Sequence, residues 1–429
     1  MTAMTWGAPL ALSDAAVRQL EHCNKCGFCL PACPTYIETG LEVHSPRGRL
    51  SLMEAAWRGE LSVDQGLADA LSLCIGCRAC ETACPSGVHY STVLEAARTD
   101  LVRRRRRWVI PAPAVPALLR LVRHRRVFRA AVHLGRAARR LPLPASLAPL
   151  TAMLPARVDP PRAVAAPRPG RSGPAVHFVD TCVMAAIFPT ANRDAMTLLS
   201  AAGARLQPVP GPDGCCGALE AHVGHLETAR QLARAELARW ERHLAPDTWL
   251  VSHAGGCAAM IADYGRLLAD DERWREPARH WASQVRDFAT ALAALPTPLR
   301  FRGTGTRVAL QNSCHLVNGL HQGAAPAALL AGIPGDVWMP LAGQDRCCGA
   351  GGVYNVNQPA MAQQVLARHL AEGEQAGVDV WLVNNPGCAL HLEQGVQARG
   401  GRAHVQHLAT YLRERWVDQA PRPDVPQEG

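Results

Sequence analysis

The sequence predicts a multidomain chain of mixed class, α+β/α/β: a mostly helical, cysteine-dense N-terminal domain followed by two copies of one α/β module. Three observations predict it. Two dense cysteine runs lie within the first hundred residues, a cysteine-free stretch rich in Arg and Pro follows, and the remaining sequence then repeats itself. A length of 429 residues exceeds what one core ordinarily organises, and 48% hydrophobic against 19% charged residues describes a globular chain. The boundaries read from these shifts are 1–102, 103–173, 174–300, 301–416 and a tail at 417–429.

The N-terminal runs are C-N-K-C-G-F-C-L-P-A-C-P, with Cys23, Cys26, Cys29 and Cys33, and C-I-G-C-R-A-C-E-T-A-C-P, with Cys74, Cys77, Cys80 and Cys84. Both match C-x2-C-x2-C-x3-C-P, the run of two-cluster bacterial ferredoxins. Three thiolates two residues apart let one loop wrap three corners of a cubane. The fourth, followed by Pro34 or Pro85, is expected to open a helix leading to the other cluster. The ligands are therefore expected to cross. Cys23, Cys26, Cys29 and Cys84 hold one [4Fe–4S] cluster, and Cys74, Cys77, Cys80 and Cys33 hold the other. Structural zinc needs one set of four ligands, and these two runs overshoot it. A disulfide framework belongs to small secreted chains, and residues 1–20 show no secretory signal.

The connector explains the charge. Fourteen arginines and no acidic residue lie between Asp100 and Asp159, five more than the whole net charge of +9. Basicity is thus local and is no sign of nucleic-acid binding. From Ala117 to Arg140 the pattern is an irregular basic amphipathic helix with Leu118, Leu121, Val122, Phe128 and Val132 as its stripe. Such a helix lies on anionic lipid or packs on its own protein, and peripheral membrane contact is the expectation here. No run of about twenty apolar residues is present, so no spanning helix is expected.

The repeat is explicit. AVHFVDTC, DGCCG and TWLVSHAGGC contain Cys182, Cys215, Cys216 and Cys257; RVALQNSC, DRCCG and VWLVNNPGC contain Cys314, Cys347, Cys348 and Cys388. In both copies 32 residues separate the single cysteine from the pair. That spacing marks an internal duplication. WLVS and WLVN read as strands, and Leu226–Arg242 and Met361–Glu374 as helices. The cysteines fall where strands give way to loops, the ligand-binding edge of open α/β sheets. Four thiols per copy bind a further iron–sulfur cluster or another metal, or else survive as a relic of docking modules. Adjacent cysteines strain to reach two corners of one cube, so an unusual cluster or a dithiol–disulfide site stays open. Strand order is not readable.

These repeats resemble the cysteine-rich "CCG" domain of heterodisulfide reductase subunits and of several respiratory dehydrogenase subunits. They depart from the reductase in lacking its terminal C-x2-C. The second copy is more specific. Asn312-Ser313-Cys314-His315-Leu316, Cys347-Cys348-Gly349-Ala350-Gly351-Gly352-Val353-Tyr354-Asn355 and Asn384-Asn385-Pro386-Gly387-Cys388 join Cys33-Pro34-Thr35-Tyr36, Ser45-Pro46-Arg47-Gly48-Arg49 and Cys84-Pro85-Ser86-Gly87-Val88. Over about residues 20–416 this set resembles the iron–sulfur subunit of glycolate oxidase (glycolate dehydrogenase). The resemblance implies FAD-containing partner subunits that oxidise glycolate to glyoxylate. It also implies electron flow through this chain towards a quinone, on the cytoplasmic face of the inner membrane.

The residues themselves agree that hydride chemistry lies elsewhere, because no dinucleotide fingerprint is present. Two rivals are kept. One is an electron-transfer subunit serving lactate or glycerol 3-phosphate. The other is a thiol–disulfide enzyme of the heterodisulfide reductase kind using the CCG pairs. His315, which replaces Val183 of the first copy, reads as a structural histidine ahead of a ligand or proton donor. Arg47 and Arg49 read equally as a solvated pair or as tuners of a cluster's field.

Overall fold

The computed structural model describes residues 8–104, 114–138, 173–211 and 214–417. From 8 to 104 the described backbone contains helices and no strand. Helices Asp14–Glu21, Pro46–Trp57 and Gln65–Ser72 begin behind Ser13, Ser45 and Asp64, whose side chains accept from the N–H of Ala16, Gly48 and Leu67. These caps fulfil donors that the first helical turn leaves open. Met53, Leu71, Val93, Ala97 and Leu101 form the core, with Tyr90–Arg103 as its central helix. Cys33-Pro34 does open a helix, Pro34–Thr39, with proline at its first position. Cys84-Pro85 departs from that expectation. A turn comes next, Gly87 takes a φ of 67°, and the following helix starts only at Tyr90.

The two copies fold as two four-stranded parallel sheets. In the first, β1 (Ala175–Phe178), β2 (Arg205–Leu206), β3 (Trp249–Ser252) and β4 (Val285–Asp287) lie in the order β2-β1-β3-β4. In the second, β5 (Arg307–Gln311), β6 (Val337–Trp338), β7 (Val380–Val383) and β8 (His404–His407) lie in the order β6-β5-β7-β8. The order is the same, so the duplication extends to topology. Short runs such as Ala-Val-His-Phe are buried along their whole length, as strands covered on both faces must be. The helices expected at 226–242 and 361–374 extend over Leu226–His243 and Pro359–Ala376.

The copies share a core. Val176, Phe178, Leu198 and Phe288 of the first join Val308, Leu310, Leu382 and Tyr411 of the second in one apolar cluster. Helix Pro189–Ala201 packs on Leu408–Arg415, and Gly255–Ala262 packs on Cys314–Asn318.

The connector forms two helices where one was expected, Ala114–Arg123 and Arg125–Ala138, broken at His124. Its stripe is turned onto the first copy and away from solvent. Val122 packs with Cys182 and Cys215, Val132 with Ala186 and Ile187, and Leu119 with Val223. Arg125 pairs with Asp180 at 2.7 Å, and Arg123 with Glu220 at 3.7 Å. The physical reason is that burial against protein covers the same apolar area that a lipid surface would. Leu118's side chain lies outside the described residues, as do Arg105–Arg107 of the arginine run.

Asp287 and His407 occupy equivalent places, each capping the helix after its sheet's last strand by accepting from Ala289 N at 2.8 Å and Ala409 N at 3.2 Å. Asp287 is buried, its Oδ1 has no partner, and burial lifts its carboxyl to about 7. A folded value above the unfolded one of about 3.9 means the fold favours the protonated form, so stability falls as pH rises between them. Asp287→Asn keeps the cap and removes that loss. Thermal unfolding should show the variant stabilised by up to about 4 kcal/mol at pH 8 and unchanged near pH 4.

Candidate metal centres

Each N-terminal cysteine run curls its backbone around its own thiols. In both, the residues two and four places after the first cysteine are left-handed: Lys25 (φ 58°) and Gly27 (89°), then Gly76 (76°) and Arg78 (62°). That conformation costs a non-glycine residue roughly 1–2 kcal/mol. The glycine stands at opposite places in the two runs, so each loop keeps one such residue against the cost. Turns of this kind aim successive N–H groups into a concavity that holds anions, iron–sulfur clusters included.

Two cavities result. Cys23, Cys26, Cys29 and Cys84 line one; Cys33, Cys74, Cys77 and Cys80 line the other. Each cavity thus gathers one of the crossed sets. Pro46, Cys80 and Tyr90 line both, so the cavities share a wall. Burial pushes the Cys29 thiol up to about 11, with Cys23 and Cys84 close by. Among the described residues no three His, Cys, Asp or Glu side chains close to the spacing of a single ion.

A buried guanidinium tests whether these residues fit a cluster. Arg49 is 1% exposed and donates to Ala70 O at 2.9 Å and Thr35 Oγ1 at 3.0 Å. The titratable groups beside it are Cys33, Cys74 and Tyr90, and no carboxylate is among them. An unpaired buried charge costs several kcal/mol. Thiolates gathered on iron opposite Arg49 supply the missing countercharge, so the donor set and its surroundings fit. Arg47 differs: it is held by Glu42 at the surface, at 2.8 Å.

The CCG cysteines gather for a topological reason. Cys182 comes after β1, the Cys215–Cys216 pair after β2 and Cys257 after β3, so all four meet at the carboxyl ends of three adjacent strands. Cys314, Cys347, Cys348 and Cys388 repeat this on β5, β6 and β7. Cys182 and Cys215 pack in one buried cluster, and Cys216 and Cys257 in another. In the second copy Cys314 meets Cys347, and Cys348 stands 3.1 Å from Cys388. Contact with Cys388 holds Cys348 below the usual thiol range, and Cys388 correspondingly above it.

The second set also touches the N-terminal domain. Cys77 and Cys347 lie in one buried cluster with Ile75, Cys314, Tyr354 and Val365. Asn318 Nδ2 donates to Cys77 O at 3.2 Å, Tyr354 Oη to Leu73 O at 3.0 Å, and Gln358 Nε2 to Ser72 Oγ at 2.8 Å.

His315 lines the cavity of Cys33, Cys74, Cys77 and Cys80, its Nδ1 3.6 Å from Cys314 Sγ and its ring 5.1 Å from His222. Burial drives His315 down to about 4, so it is neutral. His222 escaped the sequence reading, as did Arg98, which donates to Leu71 O, Cys74 O and His222 O at 3.0, 2.6 and 3.0 Å. No spacing or motif marks either residue; only the fold brings them to the loop.

Residues 19–88 match the 4Fe-4S dicluster domain family, and residues 176–262 and 308–393 each match the cysteine-rich domain family. Fold and thiol sets together define an iron–sulfur electron-transfer subunit, with a ferredoxin-type domain joined to a duplicated cysteine-rich body. The chain is 34% identical over 423 residues to the probable glycolate oxidase iron-sulfur subunit of Bacillus subtilis, covering 92% of this chain and 94% of that one. It is 30% identical over 392 residues to the glycolate oxidase iron-sulfur subunit of Escherichia coli, covering 90% and 92%. It also matches lactate utilization protein A of Shouchella clausii, 26% identical over 239 residues, 55% of this chain and 97% of that protein. The chain belongs to the family of glycolate oxidase iron–sulfur subunits.

Arg49→Met should lower the midpoint potential of the cubane beside Cys33 and Cys74, because a positive charge favours the reduced, more negative cluster. Arg49→Lys should recover part of the shift and Arg47→Ala should cause little. Potentiometric electron paramagnetic resonance on the full chain measures all three.

Proposed function

We propose that this chain takes electrons one at a time from flavoprotein subunits that oxidise glycolate to glyoxylate. In this reading Cys23, Cys26, Cys29 and Cys84 hold one [4Fe–4S] cluster and Cys33, Cys74, Cys77 and Cys80 the other. Such clusters supply one-electron storage, and flavin is the natural donor because it takes a hydride and releases single electrons. Glycolate loses two electrons and two protons to the flavin; no bond to substrate forms on this chain.

The observation that carries the reading is the wall at Cys80 shared by two cavities, one lined by Cys23, Cys26, Cys29 and Cys84 and the other by Cys33, Cys74 and Cys77, with a different outlook at each. Of the sixteen cysteines Cys26 alone is exposed, which gives the first site a face to the outside. Beside it stand Phe28, Ile37, Leu41 and Val43, four exposed large apolar side chains in one stretch. Arg47 ties that stretch together, reaching from Lys25 O to the Glu42 carboxylate. A flavoprotein subunit fits that face, since apolar docking brings redox groups close and excludes water. Each CCG set is assigned a further iron–sulfur centre on its four thiols, and quinone is the assigned acceptor, reached from the cytoplasmic face of the inner membrane. Lipid contact has less to rest on than the sequence suggested, since Val122 and Val132 face the first module. Val127 and Leu134 remain on the outer face for it.

Lactate is the second reading for the hydroxy acid, because lactate utilization protein A aligns over 239 residues. Anaerobic purification of the tagged chain from its host, with dye reduction assayed on glycolate and on D- and L-lactate, tests both. Glycolate-dependent reduction by a flavin-containing complex is the expected result. Activity on lactate alone corrects the substrate. Disulfide reduction by a flavin-free chain overturns the proposal. In the same complex, Cys26→Ser and Cys77→Ser should each lose about four irons and abolish dye reduction; full activity in both would sink the ligand assignment.

A further inference from the structure

The two copies are equivalent in topology and unequal in where their thiols stand. Cys347 packs in one buried cluster with Cys77, a thiol of the inner N-terminal cavity, from 270 residues away in sequence. Both sulfurs are buried, Cys77 at 8% and Cys347 at 4% exposure. In the first copy Val122 of the connector packs on Cys182 and Cys215, and no N-terminal cysteine shares the buried clusters of that copy's thiols. The first copy lines the inner cavity with Ala218, His222, Gly256, Ala259, Met260 and Asp263, and the second with His315; no cysteine of either copy lines it, so what sets the second copy apart is the packing of Cys347 with Cys77.

The sequence after each CCG explains the difference. The first copy continues Gly217-Ala218-Leu219-Glu220 and the second Gly349-Ala350-Gly351-Gly352. Leu219 is used against Leu119 and Val122 of the connector helices. At the matching place Gly351 holds a φ of 48°, and a Cβ there would stand 2.7 Å from Tyr354 Cβ, 2.9 Å from Ile75 Cγ2 and 3.1 Å from Ile75 O. Only glycine lets the Ile75–Cys77 loop approach that closely.

We propose that the duplicated modules have parted roles: the second module's thiols, through Cys347, are the electron partner of the Cys33, Cys74, Cys77 and Cys80 site, while the first module's thiols stand off that route. The inference rests on the reading of these thiol sets as iron–sulfur centres. The step is outer-sphere. One electron, delivered by the flavoprotein, leaves the Cys77 side and is accepted on the Cys347 side; no bond forms or breaks and no proton is required. The shared burial of Cys77 and Cys347 favours this path because electron transfer weakens steeply with distance. Charge and solvent exclusion at ligand sulfur also set a cluster's potential, so the same packing tunes the donor.

Potentiometric electron paramagnetic resonance on the purified complex, with iron counted per chain, tests this with Cys347→Ala, Cys215→Ala and Gly351→Ala. Cys347→Ala should shift the midpoint potential and microwave-power saturation of the inner cubane's signal, and Cys215→Ala should change neither. Gly351→Ala keeps every cysteine, so it should reproduce the potential shift by moving Ile75 and Cys77 off Cys347. It also decides the matter if Cys347→Ala fails to fold. Equal effects of Cys347→Ala and Cys215→Ala, or no shift from Gly351→Ala, overturn the proposal. The iron count speaks separately to the reading beneath it. If neither alanine variant of a CCG cysteine loses iron, the modules hold no cluster, while the potential shift still reports whether Cys347 acts on Cys77.

Discussion

The close passage of the Ile75–Cys77 loop over Gly351 is the contact on which the rest of this molecule is arranged. It brings Cys77 onto Cys347 and buries both. Around it Tyr354, Gln358 and Asn318 of the second module bond to Leu73, Ser72 and Cys77 of the N-terminal domain. Arg368 adds an ion pair to Glu38 at 2.9 Å. The N-terminal domain is therefore seated on the duplicated body by the same loop that carries its thiols. An orphaned backbone carbonyl beside a buried cluster site costs as much as a lost hydrogen bond. Donation to Leu73 O and Cys77 O from the second module removes that cost only when the two parts are docked.

The first module meets the N-terminal domain in a different chemistry. Arg78 pairs with Asp263 at 2.6 Å, and Arg266 with Glu95 at 3.1 Å. Arg98 reaches across to His222 O. Ionic contacts hold one side of the inner cavity and apolar sulfur contacts the other. The connector helices then close the first module's thiols from outside, with Arg123 drawn to Glu220. Duplication supplied two equal cysteine edges. The second residue after each CCG, Leu219 or Gly351, decides whether that edge meets a connector helix or a cluster loop.

The parts of this arrangement that are local in the chain were legible in the sequence. C-x2-C-x2-C-x3-C-P encodes a loop around its own thiols, and the matched spacing of the repeats encodes two modules of one topology. The helical stretches after Leu226 and before Glu374 carry their period on their surface. Strand order was not legible, because parallel pairing is set by crossovers whose direction no short run records. The connector's stripe showed that an apolar face needed covering and said nothing about what covers it. His222, Arg98 and Asn318 act through backbone carbonyls reached only in the folded state, so no spacing announces them. Gly351 stood in plain view beside Cys348, but its reason, the side chain of Ile75, lies 276 residues upstream.

Charge gives the last link. The basicity that dominates the composition is local to the connector, and its arginines Arg123 and Arg125 are paired to the first module. The arginine that matters most to the centres is Arg49, which carries a full charge into the core with hydroxyl, carbonyl and thiol partners. Thiols are poor counterions while protonated; in the same cavity the neighbouring Cys347 thiol together with burial raises Cys77, and burial raises Cys80, well above their ordinary range. The N-terminal domain therefore places a fixed cation where the protein alone supplies no anion. That imbalance is relieved when iron holds the thiols as thiolates, so loading the inner site and stabilising the fold around Arg49 are the same event.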